Sequence, residues 1–89
     1  MPKKSYTRTG RSCRVAQHVT LCGEFNDWDT EVHPMRKKKD GSHFISLSLD
    51  AGRSYRYRFF IDGARWENDW DADAYRPNEY GTEDSVVNV

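Results

Sequence analysis

The stretch Tyr55-Arg56-Tyr57-Arg58-Phe59-Phe60-Ile61-Asp62-Gly63-Ala64-Arg65-Trp66 decides the fold. Successive side chains of an extended strand point to opposite faces. Tyr55, Tyr57, Phe59 and Ile61 therefore share one face, which reads as the inward side of a half-buried antiparallel strand. Arg56, Arg58 and Phe60 share the other. Asp62-Gly63 then turns the chain, and the length of that turn decides where Trp66 goes. A two-residue loop pairs Ile61 with Ala64 and sets Trp66 opposite Phe59, on the core face. A three-residue loop pairs Ile61 with Arg65 and sets Trp66 opposite Phe60, beside Arg58. A slip of one residue exchanges the faces, and Gly63 suits both turns, so the residues leave the register open. In the outward register Trp66, Phe60, Arg58, Arg56 and Asn68 form one solvent-facing patch. A sugar suits such a patch, because the C–H face of a pyranose lies flat on an indole while Arg and Asn bond its hydroxyls. The inward register gives a core Trp with ordinary surface arginines.

The flanking sequence continues the strand pattern. Val19, Leu21 and Gly23 alternate with Thr20 and Cys22, and that strand ends in the polar loop Glu24-Phe25-Asn26-Asp27-Trp28-Asp29. Local sequence leaves Trp28 open between packing and exposure. A strand is expected around 32–38, followed at Asp40-Gly41 by a type I′ hairpin turn, which needs φ > 0 at both central positions. Ile45, Leu47 and Leu49 then alternate with Phe44, Ser46 and Ser48. After 65–68, residues 69–84 read as a long irregular acidic loop, and Ser85-Val86-Val87-Asn88-Val89 as a terminal strand. No helical period or internal repeat is visible. Six or seven short strands in so short a chain predict an all-β, immunoglobulin-like antiparallel sandwich. Residues 1–11, with Lys3, Lys4, Arg8 and Arg11, read as a flexible basic tail, and 12–89 as the sandwich.

Length and charge narrow the functions. Eighty-nine residues support one core and no second unit. Three Trp, five Tyr and four Phe, each covering about 150–250 Å² when packed, supply that core in a chain otherwise rich in charge. Fourteen basic and fourteen acidic residues cancel, although the basic ones concentrate before residue 59 and the acidic ones after it. A nucleic-acid partner is not expected from zero net charge, and Arg36-Lys37-Lys38-Lys39 reads as a solvated edge that discourages strand pairing. No apolar run reaches a membrane span, the opening residues lack the apolar segment of a signal peptide, and the expected compartment is the cytoplasm. Cys13 and Cys22 read as free thiols.

Asp69, Asp71 and Asp73 raise two chemical possibilities. Calcium is disfavoured, because Ala74 stands where an EF-hand loop needs Gly and Tyr80 where it needs a bidentate Glu. Glycoside hydrolysis needs a carboxylate pair in a cleft, which so small a domain has no barrel to enclose. No catalytic residue, metal or cofactor is expected.

Three motifs in order extend the reading: Gly23-Glu24-Phe25-Asn26-Asp27-Trp28-Asp29, the stretch 55–66, and Asn78-Glu79-Tyr80-Gly81-Thr82-Glu83-Asp84-Ser85-Val86-Val87-Asn88-Val89. Over residues 18–89 the chain resembles carbohydrate-binding module family 48. That is the isoamylase N-terminal or early-set domain of glycogen branching and starch debranching enzymes, found also as the glycogen-binding domain of the AMP-activated protein kinase β subunit. The resemblance implies non-catalytic binding of α-1,4-linked glucan such as glycogen, starch or maltooligosaccharide, and a glycogen- or starch-metabolising enzyme of glycoside hydrolase family 13 as the partner it targets. It implies that Trp28 and Trp66 stack on glucose rings, that Arg58 bonds hydroxyls, that Tyr80 enters a curved glucan, and that Thr82 supplies a hydroxyl. Asp84 stands where glycogen-binding members have an Asn, and aspartate accepts without donating. Some members place the Trp one residue nearer the Gly, so only the three-residue loop keeps Trp66 outward here. The stretch Arg14-Val15-Ala16-Gln17-His18 is short for a first strand, a loop and a second strand, which makes the opening edge irregular. The competing reading is a protein docking module that keeps the early-set fold without binding sugar.

Overall fold

The computed structural model describes residues 3–10 and 16–89. Its strands are β1 (Lys3–Gly10), β2 (Val19–Gly23), β3 (Arg36–Lys37), β4 (His43–Asp50), β5 (Ser54–Ile61), β6 (Arg65–Glu67), β7 (Ala74–Pro77) and β8 (Glu83–Asn88). They form two antiparallel sheets, one ordered β1-β4-β3 and the other β2-β5-β8-β7, with β6 paired to β5. This is the expected all-β, immunoglobulin-like sandwich. No helix among the described residues is long and apolar enough to cross a membrane.

β5 is the central strand. β2 pairs along 57–61 on one edge; on the other edge β8 takes 54–57 and β6 takes 59–61. Its burial alternates as its sequence does: Tyr55, Tyr57, Phe59 and Ile61 are buried, while Arg56, Arg58 and Phe60 are half-exposed on the opposite face. The buried set meets Val19 and Leu21 of β2, Leu49 of β4, Val87 of β8 and Met35, with Ile45, Leu47 and Phe25 packed at the margin. Tyr57 brings a polar group into this core. Its hydroxyl donates to Asp69 Oδ2 at 2.7 Å, and Asp69 N donates to Ser85 Oγ at 2.9 Å. The buried phenol and carboxylate therefore satisfy each other.

Several expectations are corrected. Residues 3–10 of the expected tail form β1, in register with β4 from Lys3↔Asp50 to Gly10↔His43. Backbone pairing along this ladder forms a strand that apolar content does not announce, and Thr7 Oγ1 and Ser46 Oγ lie 2.8 Å apart across it. Residues 1, 2 and 11–15, with Cys13 and the expected opening stretch at Arg14 and Val15, lie outside the described residues. The strand expected over 32–38 is divided between the sheets. Leu21 N donates to His33 O and Met35 N to Val19 O, whereas Arg36 and Lys37 pair with Phe44 and His43. Pro34, which has no N–H to donate, bridges to Thr20 at the changeover. The Asp40-Gly41 hairpin is not type I′. Gly41 alone has positive φ, at 90°, and Lys38 N donates to Ser42 O across a longer loop. β7 lies inside the expected acidic loop, on the sheet edge, where Pro77 is tolerated.

Candidate functional site

The Asp62-Gly63 turn takes the three-residue form. Ile61 pairs with Arg65 and Phe60 with Trp66, while Asp62 and Gly63 both adopt left-handed conformations, φ 51° and 65°. Asp62 Oδ1 accepts the backbone N–H of Gln17 at 2.9 Å and of His18 at 2.8 Å, which ties the turn to the start of β2. These bonds hold the Asp62 carboxyl below its ordinary range, the His18 bond contributing most. Trp66 consequently lies outward, 38% exposed, with its ring centroid 4.6 Å from that of Phe60 at 41°.

Trp28 reaches the same place from the other side of β5. Gly23 ends β2 where a Cβ would stand 2.4 Å from Arg56 O and 2.9 Å from Tyr57 Cβ, so only glycine lets the chain cross β5 this closely. A 3-10 turn over Glu24–Asn26 follows. Asp27 and Trp28 then adopt φ 55° and 59°, conformations that cost a non-glycine residue about 1–3 kcal/mol each and collect at functional sites. Trp28 N donates to Gly23 O at 2.9 Å and Asp29 N to Asn26 O at 3.1 Å. Asn26 fastens the turn, accepting from Gly23 N at 3.1 Å and donating to Leu21 O at 3.0 Å. Beneath it, the buried Cys22 thiol donates to Asp29 O at 3.4 Å; burial first, then the Asp29 charge, pushes its pKa up to about 11. The Trp28 and Trp66 rings meet edge to face, centroids 6.4 Å apart at 69°.

The third side is the turn between β7 and β8. Asn78 organises it: Oδ1 accepts from Tyr80 N at 3.0 Å and Thr82 N at 3.2 Å, and Nδ2 donates to Thr82 Oγ1 at 2.9 Å and Asp84 Oδ1 at 3.0 Å. Tyr80 is held outward, 83% exposed. Asp84 is 6% exposed, and its second oxygen accepts from Arg56 at 3.4 Å. Arg56 also donates to Pro77 O at 3.2 Å. Arg58 lies on the groove face, with its Nε buried and without a hydrogen-bond partner among the described residues.

These three segments enclose an open groove of about 950 Å³. Of the residues singled out from sequence, Trp28, Arg56, Arg58, Trp66, Tyr80, Thr82 and Asp84 line it together. Two do not. Phe60 backs Trp66, and Asn68 turns its amide to Glu83 O and Ser85 Oγ. Glu24, Pro77, Asn78 and Glu79 also line the groove and were not anticipated. The signal for Asn78 was present, since an Asn followed shortly by Gly81 marks a side-chain-organised turn. The other exposed indole, Trp70, is 75% exposed and stands outside the groove.

Chemically, the groove combines an angled aromatic platform with a guanidinium and hydroxyls, a surface for a polyol with apolar C–H faces. Two of its carboxylates are engaged: Glu24 Oε1 accepts from Arg56 N at 2.7 Å, and both Asp84 oxygens are bonded. Among the described residues no group of three or more His, Cys, Asp or Glu side chains could hold a metal ion. Asp69 and Asp73 instead bond backbone, Asp69 Oδ1 accepting from Asp71 N and Asp73 Oδ2 from Asn88 N, at 2.9 and 2.8 Å.

Comparison with known proteins agrees with this geometry. Residues 13–76 match the model of carbohydrate-binding module 48, described as the isoamylase N-terminal domain. The match stops short of Tyr80, Thr82 and Asp84, which the fold itself brings to the groove. The chain is 36% identical over 67 residues to the 1,4-alpha-glucan branching enzyme GlgB of Aquifex aeolicus (strain VF5), covering 74% of this chain and 11% of that enzyme. It is 34% identical over 77 residues to the enzyme of the same name from Mesorhizobium japonicum, covering 83% of this chain and 10% of the relative. The chain thus spans about a tenth of the relatives it matches. With its match, its sandwich and its groove in agreement, it belongs to carbohydrate-binding module family 48, a family of non-catalytic glucan-binding modules.

Proposed function

We propose that the groove binds α-1,4-linked glucan, as glycogen, starch or a maltooligosaccharide, and that the domain brings a glucan-active enzyme to its polymer. The observation that carries this reading is the 69° angle between the Trp28 and Trp66 rings. Successive glucose units of an α-1,4 chain are tilted into a curve, and two inclined platforms match two inclined sugar faces. A flat β-1,4 chain would call for coplanar rings. Tyr80, projecting from the facing turn, fits the hollow of such a curve, and Arg58 supplies donors to ring hydroxyls. Two stacked sugars with a few exchanged hydrogen bonds give about 4–8 kcal/mol, a millimolar to micromolar dissociation constant, and many sites along a polymer raise retention. The targeting role is supported by the two branching enzymes matched above.

The test is intrinsic tryptophan fluorescence during titration with β-cyclodextrin and maltoheptaose, with cellohexaose as control. A saturable change with the α-glucans alone is expected. A folded sample unmoved by any of them would overturn the proposal and leave protein docking as the use of the surface.

A further inference from the structure

Asn26 fixes a protonation state at its neighbour. Its Oδ1 accepts from Gly23 N and its Nδ2 donates to Leu21 O, so turning the amide over would set donor against donor at one contact and acceptor against acceptor at the other. The same Nδ2 lies 2.8 Å from His33 Nδ1. An amide nitrogen donates, so His33 Nδ1 is the acceptor and the ring carries its proton on Nε2. An imidazolium has no acceptor, and the contact therefore exists only with the neutral ring. Immediately beyond Asn26 stand Asp27 and Trp28 in left-handed conformations, a segment with a more relaxed backbone available if its ties loosen. The His33 ring also meets Phe25 in a T-shaped arrangement, centroids 6.1 Å apart at 69°. The titratable groups of the surrounding elements are engaged elsewhere or lie on the loop itself. Tyr55 of β5 meets Phe25 and donates to Asp50 O, and Cys22 of β2 bonds Asp29 O. Asp29 Oδ1 accepts from Glu31 N, and Asp27 and Glu31 are exposed.

We infer that Asn26 and His33 form a latch holding Trp28 at the groove only while the imidazole is neutral, so that glucan binding weakens on mild acidification. The inference rests on the α-glucan reading of the groove, and both residues act as positioning residues through Trp28. Protonating His33 sets two donors face to face, which withdraws one support from the turn that carries the indole.

The experiment titrates β-cyclodextrin against the whole chain at about pH 8 and about pH 5, on either side of the range in which imidazoles take up a proton. His33→Asn is measured alongside, because its amide oxygen supplies an acceptor near the position of Nδ1 and takes no proton in that range. The expected result is a wild-type affinity about threefold to tenfold weaker at the acid pH, the worth of one hydrogen bond, and a flat response in the variant. A flat wild type, or equal weakening of both proteins, overturns the latch and leaves the glucan reading standing. Absence of binding at both pH values removes the glucan reading instead. The latch is then decided, as it is if His33→Asn does not fold, by the nitrogen chemical shifts of the His33 ring in the unliganded wild type. Near pH 8 these should show a protonated Nε2 and a bare Nδ1, and a protonated Nδ1 overturns it.

Discussion

Phe60 lies directly behind Trp66, one strand away in register, with ring centroids 4.6 Å apart and planes inclined by 41°. The indole that faces the groove is thus set on a second aromatic ring rather than on solvent. Phe60→Ala should remove that backing and lower glucan affinity about threefold or more, although Phe60 does not line the groove. The loss of apolar contact from a half-buried ring should also cost about 2 kcal/mol of stability. Titration calorimetry and thermal unfolding on the same samples check both effects; unchanged affinity would mean that Trp66 orients itself.

Trp28→Ala and Trp66→Ala should each lower affinity for maltoheptaose by about tenfold or more, the usual scale for an aromatic anchor, while far-ultraviolet circular dichroism stays that of the wild type. Trp70→Ala, outside the groove, should bind as the wild type does. Binding retained by both groove variants would refute the site.

Asp84→Asn should weaken the far side of the groove. A neutral amide that accepts from Asn78 turns its own NH2 toward Arg56, donor against donor, where the carboxylate now accepts at 3.4 Å. Asn78→Ala removes the shared support of Tyr80, Thr82 and Asp84 and should reduce affinity for β-cyclodextrin by about fivefold. The measurement is a binding isotherm for each variant, read against Tyr80→Ala. Affinity equal to wild type in Asn78→Ala would show that the turn is held by its backbone alone.

Gly23→Ala should be disruptive for so small a change. The added methyl would stand 2.4 Å from Arg56 O and 2.9 Å from Tyr57 Cβ, both on the central strand, so β2 has to move away from β5. Overpacking of this kind costs about 1–3 kcal/mol, seen as a lower urea midpoint at unchanged slope. A midpoint equal to wild type would show that β2 shifts freely.

Asp62→Asn should lower the melting temperature at neutral pH, since the charged carboxylate accepts the Gln17 and His18 amides better than a neutral oxygen does. The folded state holds Asp62 below the 3.8 of an ordinary aspartate. Its stabilisation is therefore present above that value and disappears as pH falls through the lower folded value. Variant and wild type should converge in acid, and a difference that persists there would assign the effect to side-chain geometry instead of charge.

Much of this molecule is legible in its residues, and the exceptions have physical causes. The two faces of β5 follow from alternation alone, because Tyr, Phe and Ile at one parity leave no ambiguity about which side is buried. The position of Trp66 did not follow, since a turn with Gly63 closes with either loop length. The structure settles it through Asp62, a non-glycine residue at φ 51° held by bonds to Gln17 and His18, and such long-range ties leave no local mark. β1 and β7 escaped for a related reason: strands held by backbone pairing at an edge need no apolar stripe. Asp84, whose position resembles a ligand contact, lines the groove, but its low exposure and its bonds to Asn78 and Arg56 are ties between distant segments that local sequence does not mark.

β5 carries packing residues at one parity and groove residues at the other, over the same few positions. Inserting or deleting a single residue within it would trade the two sets, sending Arg58 and Phe60 into the core and Tyr57 and Phe59 into the groove, so fold and site would fail together. The segments bearing Trp28 and Tyr80 enter the groove from turns and carry no such double duty. Length variation among natural relatives should therefore gather at those turns and spare Ser54–Ile61, which makes the spacing of this strand a sharper marker of the domain than any single side chain in it.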